Sequence, residues 1–181
     1  MAIVSLADAK KQLNIPDDET SEDVEILGFV DAATAAVEEQ LGTIVEPRTV
    51  VDELDFRRSV TSFLLQSVPV ISLTSLTSLD GTRSWDVSPG AAHVDKDSGR
   101  VTLLGATISG SAIAIYQAGD LSPGANVRLA AKIIIQHLWE TQRGTMGVQL
   151  GGDGEPYVPG RGFAVPRRAI ELLGNQLPGV A

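Results

Sequence analysis

The side chains best placed to do chemistry are His93, Asp95 and Asp97, which share one short segment. Imidazole and carboxylate groups can bind a transition metal or transfer protons. The segment from Asp95 to Gly99 is also rich in the Asp, Ser and Gly that form turns, and no second histidine or spaced set of carboxylates accompanies it. We therefore predict a turn here, and a small hydrolase or metal enzyme built on His93 and Asp95 is the weaker hypothesis.

Other patterns typical of catalysis or ligand binding are missing from the sequence. His137 stands among apolar residues at helical spacing, which favours a partly buried, hydrogen-bonded histidine. The glycine-rich segment 151–154 lacks the Lys-Ser/Thr ending of a phosphate-binding loop, and no Gly-x-Ser-x-Gly motif occurs. The absence of cysteine excludes disulfides and thiolate metal sites. We predict a non-enzymatic protein with no catalytic, cofactor-binding or metal-binding residues.

The charge balance argues against a protein that binds nucleic acid. Fourteen Lys and Arg against 23 Asp and Glu give a net charge of -9, whereas phosphate binding requires a basic face. This balance is compatible with a channel past which DNA slides. The N-terminal residues do not resemble a signal peptide, and no apolar run approaches the roughly 20 residues of a membrane span. We expect a protein made and folded in a cytoplasm.

The first 42 residues predict two helices. Ser5 precedes Asp8 by three residues, a capping pattern, and the first helix is expected to end at Asn14, before a proline. Apolar residues at helical spacing predict a longer helix between residues 20 and 42. Its alanine-rich middle permits close approach of another helix.

Residues 43–119 change to the alternating pattern of strands. Asp80-Gly81 follows a run of β-forming residues and predicts a hairpin, and Asp95–Gly99 predicts a second turn. A last strand is predicted at Ala112–Tyr116. These patterns indicate a small antiparallel sheet or β-sandwich.

A third helix is predicted from Ser122-Pro123 to about Gln142, and it is apolar nearly all round. Its narrow polar stripe consists of Arg128, Lys132, Gln136 and Glu140. Such a helix is central in its own fold, covered by a neighbouring subunit, or both. The predicted subunit interface consists of Val127, Ile134, Ile135, Leu138 and Trp139. On this hypothesis, Ile135→Asp blocks assembly and leaves the helical content intact.

The C-terminal part of the chain predicts contacts with a partner. Residues 144–162 are predicted to form a long glycine-rich loop, a type that is usually functional or disordered. A short last helix is predicted at Pro166–Leu173, followed by an aperiodic tail. The predicted partner-contact residues are Arg161, Arg167, Arg168, Asn175, Leu177 and Pro178. A solvated surface is the alternative interpretation of the three arginines.

The order of elements predicts an α+β fold. We expect a small four-helix bundle with an antiparallel β insertion between helices 2 and 3. The whole chain, 1–181, is expected to form a single domain, with N-terminal helices in 1–42, the β insertion in 43–119, and the C-terminal helices, loop and tail in 120–181.

The order and spacing of these segments resemble the head–tail connector proteins of long-tailed bacteriophages, which are also called adaptor or head-completion proteins. No single motif is specific, and the likeness rests on four stretches of the chain: Val4–Leu13, Asp23–Gly42, Pro69–Gly119 and Ser122–Leu173. The resemblance implies a structural virion protein of the neck, assembled in the cytoplasm of a bacterial host. It implies a homo-oligomeric ring, commonly of twelve copies, that binds the portal protein, extends the DNA channel and receives stopper or tail proteins.

Two alternatives remain at this stage. A stopper or tail-terminator subunit would serve the same particle, but those proteins are mainly β, and the two opening helices argue against them. A β-type binding module on a helical base is the other alternative. In it, Trp85 and Tyr116 would form a binding platform, although both are typical core residues.

Overall fold

The computed structural model describes residues 3–143 and 165–174, and within them the chain is α+β, as predicted. The helices are α1 (Leu6–Leu13), α2 (Asp23–Leu41), α3 (Ala125–Arg143) and α4 (Arg167–Leu173). The strands are β1 (Arg48–Val60), β2 (Ser62–Leu64), β3 (Val70–Ser78), β4 (Ser84–Trp85), β5 (Ala92–Val94), β6 (Arg100–Leu103) and β7 (Ile108–Ala118). The predicted loop at 144–162 and the tail after Gly174 lie outside the described residues.

The four described helices belong to one compact unit, which combines the segments before residue 42 and after residue 122. Within this helical unit α3 contacts each of the other three helices. Phe29 of α2 meets Trp139 of α3 edge to face, with ring centroids 6.3 Å apart. The helix that is apolar nearly all round is therefore central in its own fold, because three neighbours surround it.

The ends of α1 follow the sequence signals. Ser5 Oγ accepts a hydrogen bond from Asp8 N at 3.1 Å and donates one to Asp8 Oδ2 at 3.0 Å. The hydrogen bond that Ser5 Oγ donates to the Asp8 carboxylate is the main reason that the pKa of Asp8 is lowered, and the nearby Lys132 ammonium lowers it further. Asn14 adopts the left-handed conformation, with φ 58°, that reverses the chain at a helix end. Ser5 as the cap of the first helix and the predicted end of that helix at Asn14 are both confirmed.

Residues Gly42–Ser122 form the other compact unit, the β unit. One sheet has the strand order β1-β7-β3-β4, the other β2-β6-β5, and the described strand pairs in both are antiparallel. Side chains from both sheets share one core, in which Phe63, Val101 and Leu103 join Leu76, Ala114 and Tyr116. Phe56 and Phe63 meet edge to face with centroids 5.4 Å apart.

The Asp80-Gly81 hairpin joins β3 to β4, as predicted. Gly81 has φ +69°, which a side chain would strain, and Asp80 accepts hydrogen bonds from Ser78 Oγ at 2.6 Å and Thr82 N at 3.1 Å. The hydrogen bond from Ser78 is the main reason that the pKa of Asp80 falls to about 2. Two short strands, β2 and β5, were not predicted, and β7 begins at Ile108, before the predicted Ala112.

Candidate assembly surfaces

The segment that suggested a metal site forms a turn. Asp95 Oδ1 accepts hydrogen bonds from the backbone N–H groups of Asp97, at 3.2 Å, and Ser98, at 3.5 Å, and the hydrogen bonding by Ser98 lowers the pKa of Asp95. His93 is exposed on β5, opposite Thr102 of β6. Over residues 3–143 and 165–174, no three His, Cys, Asp or Glu side chains come together in a group that could hold a metal ion.

Trp85 and Tyr116 do not form a binding platform, because Tyr116 is fully buried in the β unit. Trp85 is half-buried on β4, where its indole N–H donates to Thr107 O at 2.9 Å and the Arg83 guanidinium lies 5.3 Å from its ring centre. The hypothesis of a platform made of these two residues is therefore wrong for this chain.

Tyr116 instead forms a buried polar network with Asp52, which is 4% exposed. The Tyr116 hydroxyl donates to Asp52 Oδ2 at 2.8 Å and accepts from Ser67 N at 2.9 Å. Gln66 N donates to the same carboxylate oxygen at 2.8 Å. These hydrogen bonds join β1, β7 and the segment after β2. They give the buried Asp52 carboxylate and Tyr116 hydroxyl the partners that buried polar atoms require.

We expect Tyr116→Phe to destabilise the β unit by about 1 to 3 kcal/mol, because Ser67 N and the Asp52 carboxylate each lose a partner in a buried site. Burial raises the pKa of Tyr116 above its usual 10.0, so the folded chain resists ionisation of this side chain. The stability difference between wild type and variant should therefore shrink as the pH rises above about 10. Urea unfolding between pH 7 and 11 measures it, and a pH-independent difference would contradict the argument.

The predicted interface residues on α3 differ in their exposure. Ile134 and Ile135 are fully buried, while Val127, Leu138 and Trp139 are half-buried. The first two already pack inside the protomer, so any contact of α3 with a neighbouring subunit must use other side chains. Participation of α3 in an interface stays a prediction.

The polar stripe of α3 partly faces α1. Gln12 Nε2 donates to Gln136 Oε1 at 2.9 Å, and Lys132 Nζ lies 3.4 Å from Asp8 Oδ1. The sequence correctly separated the polar side of α3 from its apolar sides. It gave no sign that half of this stripe would pair with the first helix.

Arg167 and Arg168 are exposed on α4, and Arg167 forms an ion pair with Glu171 at 3.2 Å. This pair is one turn apart on an exposed helix and contributes little stability. The other four predicted contact residues, Arg161, Asn175, Leu177 and Pro178, lie outside the described residues.

Sequence reasoning missed the apolar side chains that the helical unit exposes. Val24 is 85% exposed and Leu27 45% exposed on α2, and Leu129 is 47% exposed on α3. The sequence did contain a signal for them, because Val24 and Leu27 lie outside the helical face that carries Ile26, Val30 and Val37. None of the helices that the structure describes is long and apolar enough to span a membrane.

The described residues thus form an α+β fold with a helical unit, a β unit and apolar side chains exposed on its helices. The model of the head completion protein family matches residues 2–175. The chain therefore belongs to the head completion protein family, whose members are structural proteins of the head–tail junction. The resemblance noted in the sequence is confirmed.

Solved structures with the same fold come from gene transfer agent (GTA) particles. A chain in the neck of an empty GTA particle, computed with C6 symmetry, is 21% identical with a TM-score of 0.63, covering 98% of this chain and 92% of that one. A chain in the virion of the native GTA particle gives the same values. A chain in the neck of the native particle, computed with C12 symmetry, is 20% identical with a TM-score of 0.56, covering 86% and 85%. No curated protein sequence matches.

Proposed function

We propose that this chain forms a ring in the virion neck that joins the capsid portal to the tail and extends the DNA channel. The family match over residues 2–175 is the observation that carries the proposal. The shared fold with neck chains from particles computed with C6 and C12 symmetry supports a ring, and twelve copies is the number we propose.

The proposed ring is built by the helical unit as a small four-helix bundle, with the β unit as an insertion between α2 and α3. Its partners are further copies of the chain, the portal protein on one side and stopper or tail proteins on the other. The role is non-enzymatic, without a cofactor. The net charge of -9 supports a channel wall that lets DNA pass without binding it.

The alternative of a stopper or tail terminator has less support. Those proteins are mainly β, whereas this chain devotes α2 and α3, each of 19 residues, to a helical unit. The match of the family model includes both helices and the β unit. We therefore retain the ring beneath the portal as the proposed function.

Loss of the chain should yield DNA-filled heads and separate tails. Without the ring, the portal has no surface on which the tail proteins can dock. Electron microscopy of lysates made with the coding sequence interrupted tests this, and supplying the intact chain in trans is the control that should restore tailed particles. Normal yields of tailed particles in its absence would overturn the proposed function.

A further inference from the structure

Helix α2 has two faces that are both largely apolar. The buried face carries Ile26, Phe29, Val30, Ala33 and Val37, which all lie in the core. The opposite face, here called the outer face, is exposed and consists of Val24, Leu27, Gly28, Asp31, Ala32, Ala35 and Glu39. A surface helix normally presents charged and polar residues to water, so an apolar outer face indicates a surface that another element covers.

The outer face is shaped for close approach of another helix. Gly28, Ala32 and Ala35 have small side chains, and a Cβ built on Gly28 would meet nothing within 4 Å. The distance between packed helix axes depends on the side chains at the contact, and small residues allow short distances. Val24, at 85% exposure, and Leu27 then supply the apolar area at one end of the face.

The charges on the outer face match those at the start of α3. Asp31 and Glu39 are exposed and form no ion pair with any residue that the structure describes. In the first turn of α3, Arg128 is exposed and likewise has no ion pair within the described chain, and it adjoins Leu129, which is 47% exposed. One chain thus carries an apolar surface whose acids have no ion pair among the described residues, and a separate apolar position beside a base of which the same is true.

We propose that the outer face of α2 packs against Arg128 and Leu129 of the next copy of this chain. A head-to-tail contact between two different surfaces is the kind that closes into a ring when repeated by rotation. Such a ring requires both complementary surfaces on the same chain, and this chain carries both. The inference rests on the proposed function, because it assigns the contact between neighbours in the proposed ring.

Charge reversal tests the pairing of Asp31 with Arg128. We expect Asp31→Arg and Arg128→Asp each to weaken self-association of the purified chain about tenfold, and the double variant to recover most of it. Asp18→Arg, an exposed acid of the α1–α2 connection, is the matched control and should leave association unchanged. Sedimentation velocity over a concentration series up to about the millimolar range gives the association constants.

Crosslinking provides the geometric test, and the chain has no cysteine of its own. A chain with both Ala32→Cys and Leu129→Cys should form a ladder of crosslinked oligomers, whereas each single variant alone should give none. Mixing the two single variants should give a crosslinked dimer. Dimers from Ala32→Cys alone would show a two-fold contact and overturn the head-to-tail arrangement.

Different results would overturn the outer-face contact and the role in the neck. A wild-type chain that stays monomeric throughout the concentration series would overturn this interface and remove the support for self-assembly, while the electron microscopy of lysates still judges the neck role. If the wild-type chain forms rings and the charge-reversed and Val24→Asp variants form them equally well, only the outer-face contact is overturned. Rescue by the double variant would support both.

Discussion

The Ile135→Asp chain is expected to lose the fold of the helical unit and not only its ability to assemble. Ile135 is fully buried on α3, the helix that contacts α1, α2 and α4. Aspartate at this position would place either a charge or a protonated carboxyl group without a hydrogen-bond partner in an apolar core. Loss of the isoleucine packing and the cost of burying the polar group together exceed about 4 kcal/mol. The sequence-based expectation that this variant keeps its helical content is therefore reversed.

Leu129→Asp is the matched control, because it introduces the same side chain on the same helix at a position that is 47% exposed. Its far-ultraviolet circular dichroism spectrum should equal that of wild type. Its free energy of unfolding, measured in urea, should differ from that of wild type by less than about 1 kcal/mol. The Ile135→Asp spectrum should show reduced helical signal at 25 °C. A wild-type spectrum for Ile135→Asp would show that α3 does not occupy the core as described.

The contrast between these two positions shows what a sequence pattern can determine. The apolar residues on every side of α3 except its narrow polar stripe correctly predicted a helix covered on several sides, since burial follows from composition and period. The pattern could not distinguish a side chain buried within its own chain from one that a neighbouring subunit would bury, because Ile135 and Leu129 are equally apolar. That distinction depends on where α1 and α4 pack, which residues distant in sequence decide.

The β unit shows the same division between local and long-range information. Asp80-Gly81 and Asp95–Gly99 predicted their turns because hydrogen bonds within a few residues stabilise them. The strands β2 and β5, of three residues each, have no periodicity long enough to recognise, and their partner in both cases is β6. The Asp52–Tyr116 hydrogen bond joins positions 64 residues apart and has no sequence signal.

The least predictable feature of the helical unit is Lys10, a lysine that is only 3% exposed. Its ammonium group lies 2.5 Å from Asp23 Oδ1, an ionic contact whose geometry is not that of a hydrogen bond, and it donates to Glu19 O at 2.6 Å and Asp17 O at 3.3 Å. Lys10 therefore joins α1 to the connection that follows it and to the first residue of α2. Lysine is almost never buried unless it is paired, and here three oxygens provide the partners.

Lys10→Met should destabilise the helical unit by about 3 kcal/mol, because methionine retains much of the apolar stem but leaves the Asp23 carboxylate and two carbonyl groups without this partner. The residual charge on Asp23 stays favourable at the start of α2, which limits the loss. Lys11→Met, at the exposed neighbouring position, is the control and should change stability by less than about 0.5 kcal/mol. Urea unfolding followed by circular dichroism at 222 nm measures both. Equal stabilities for the two variants would mean that Lys10 contributes only its stem, and the ionic contact with Asp23 would then have no net value for this fold.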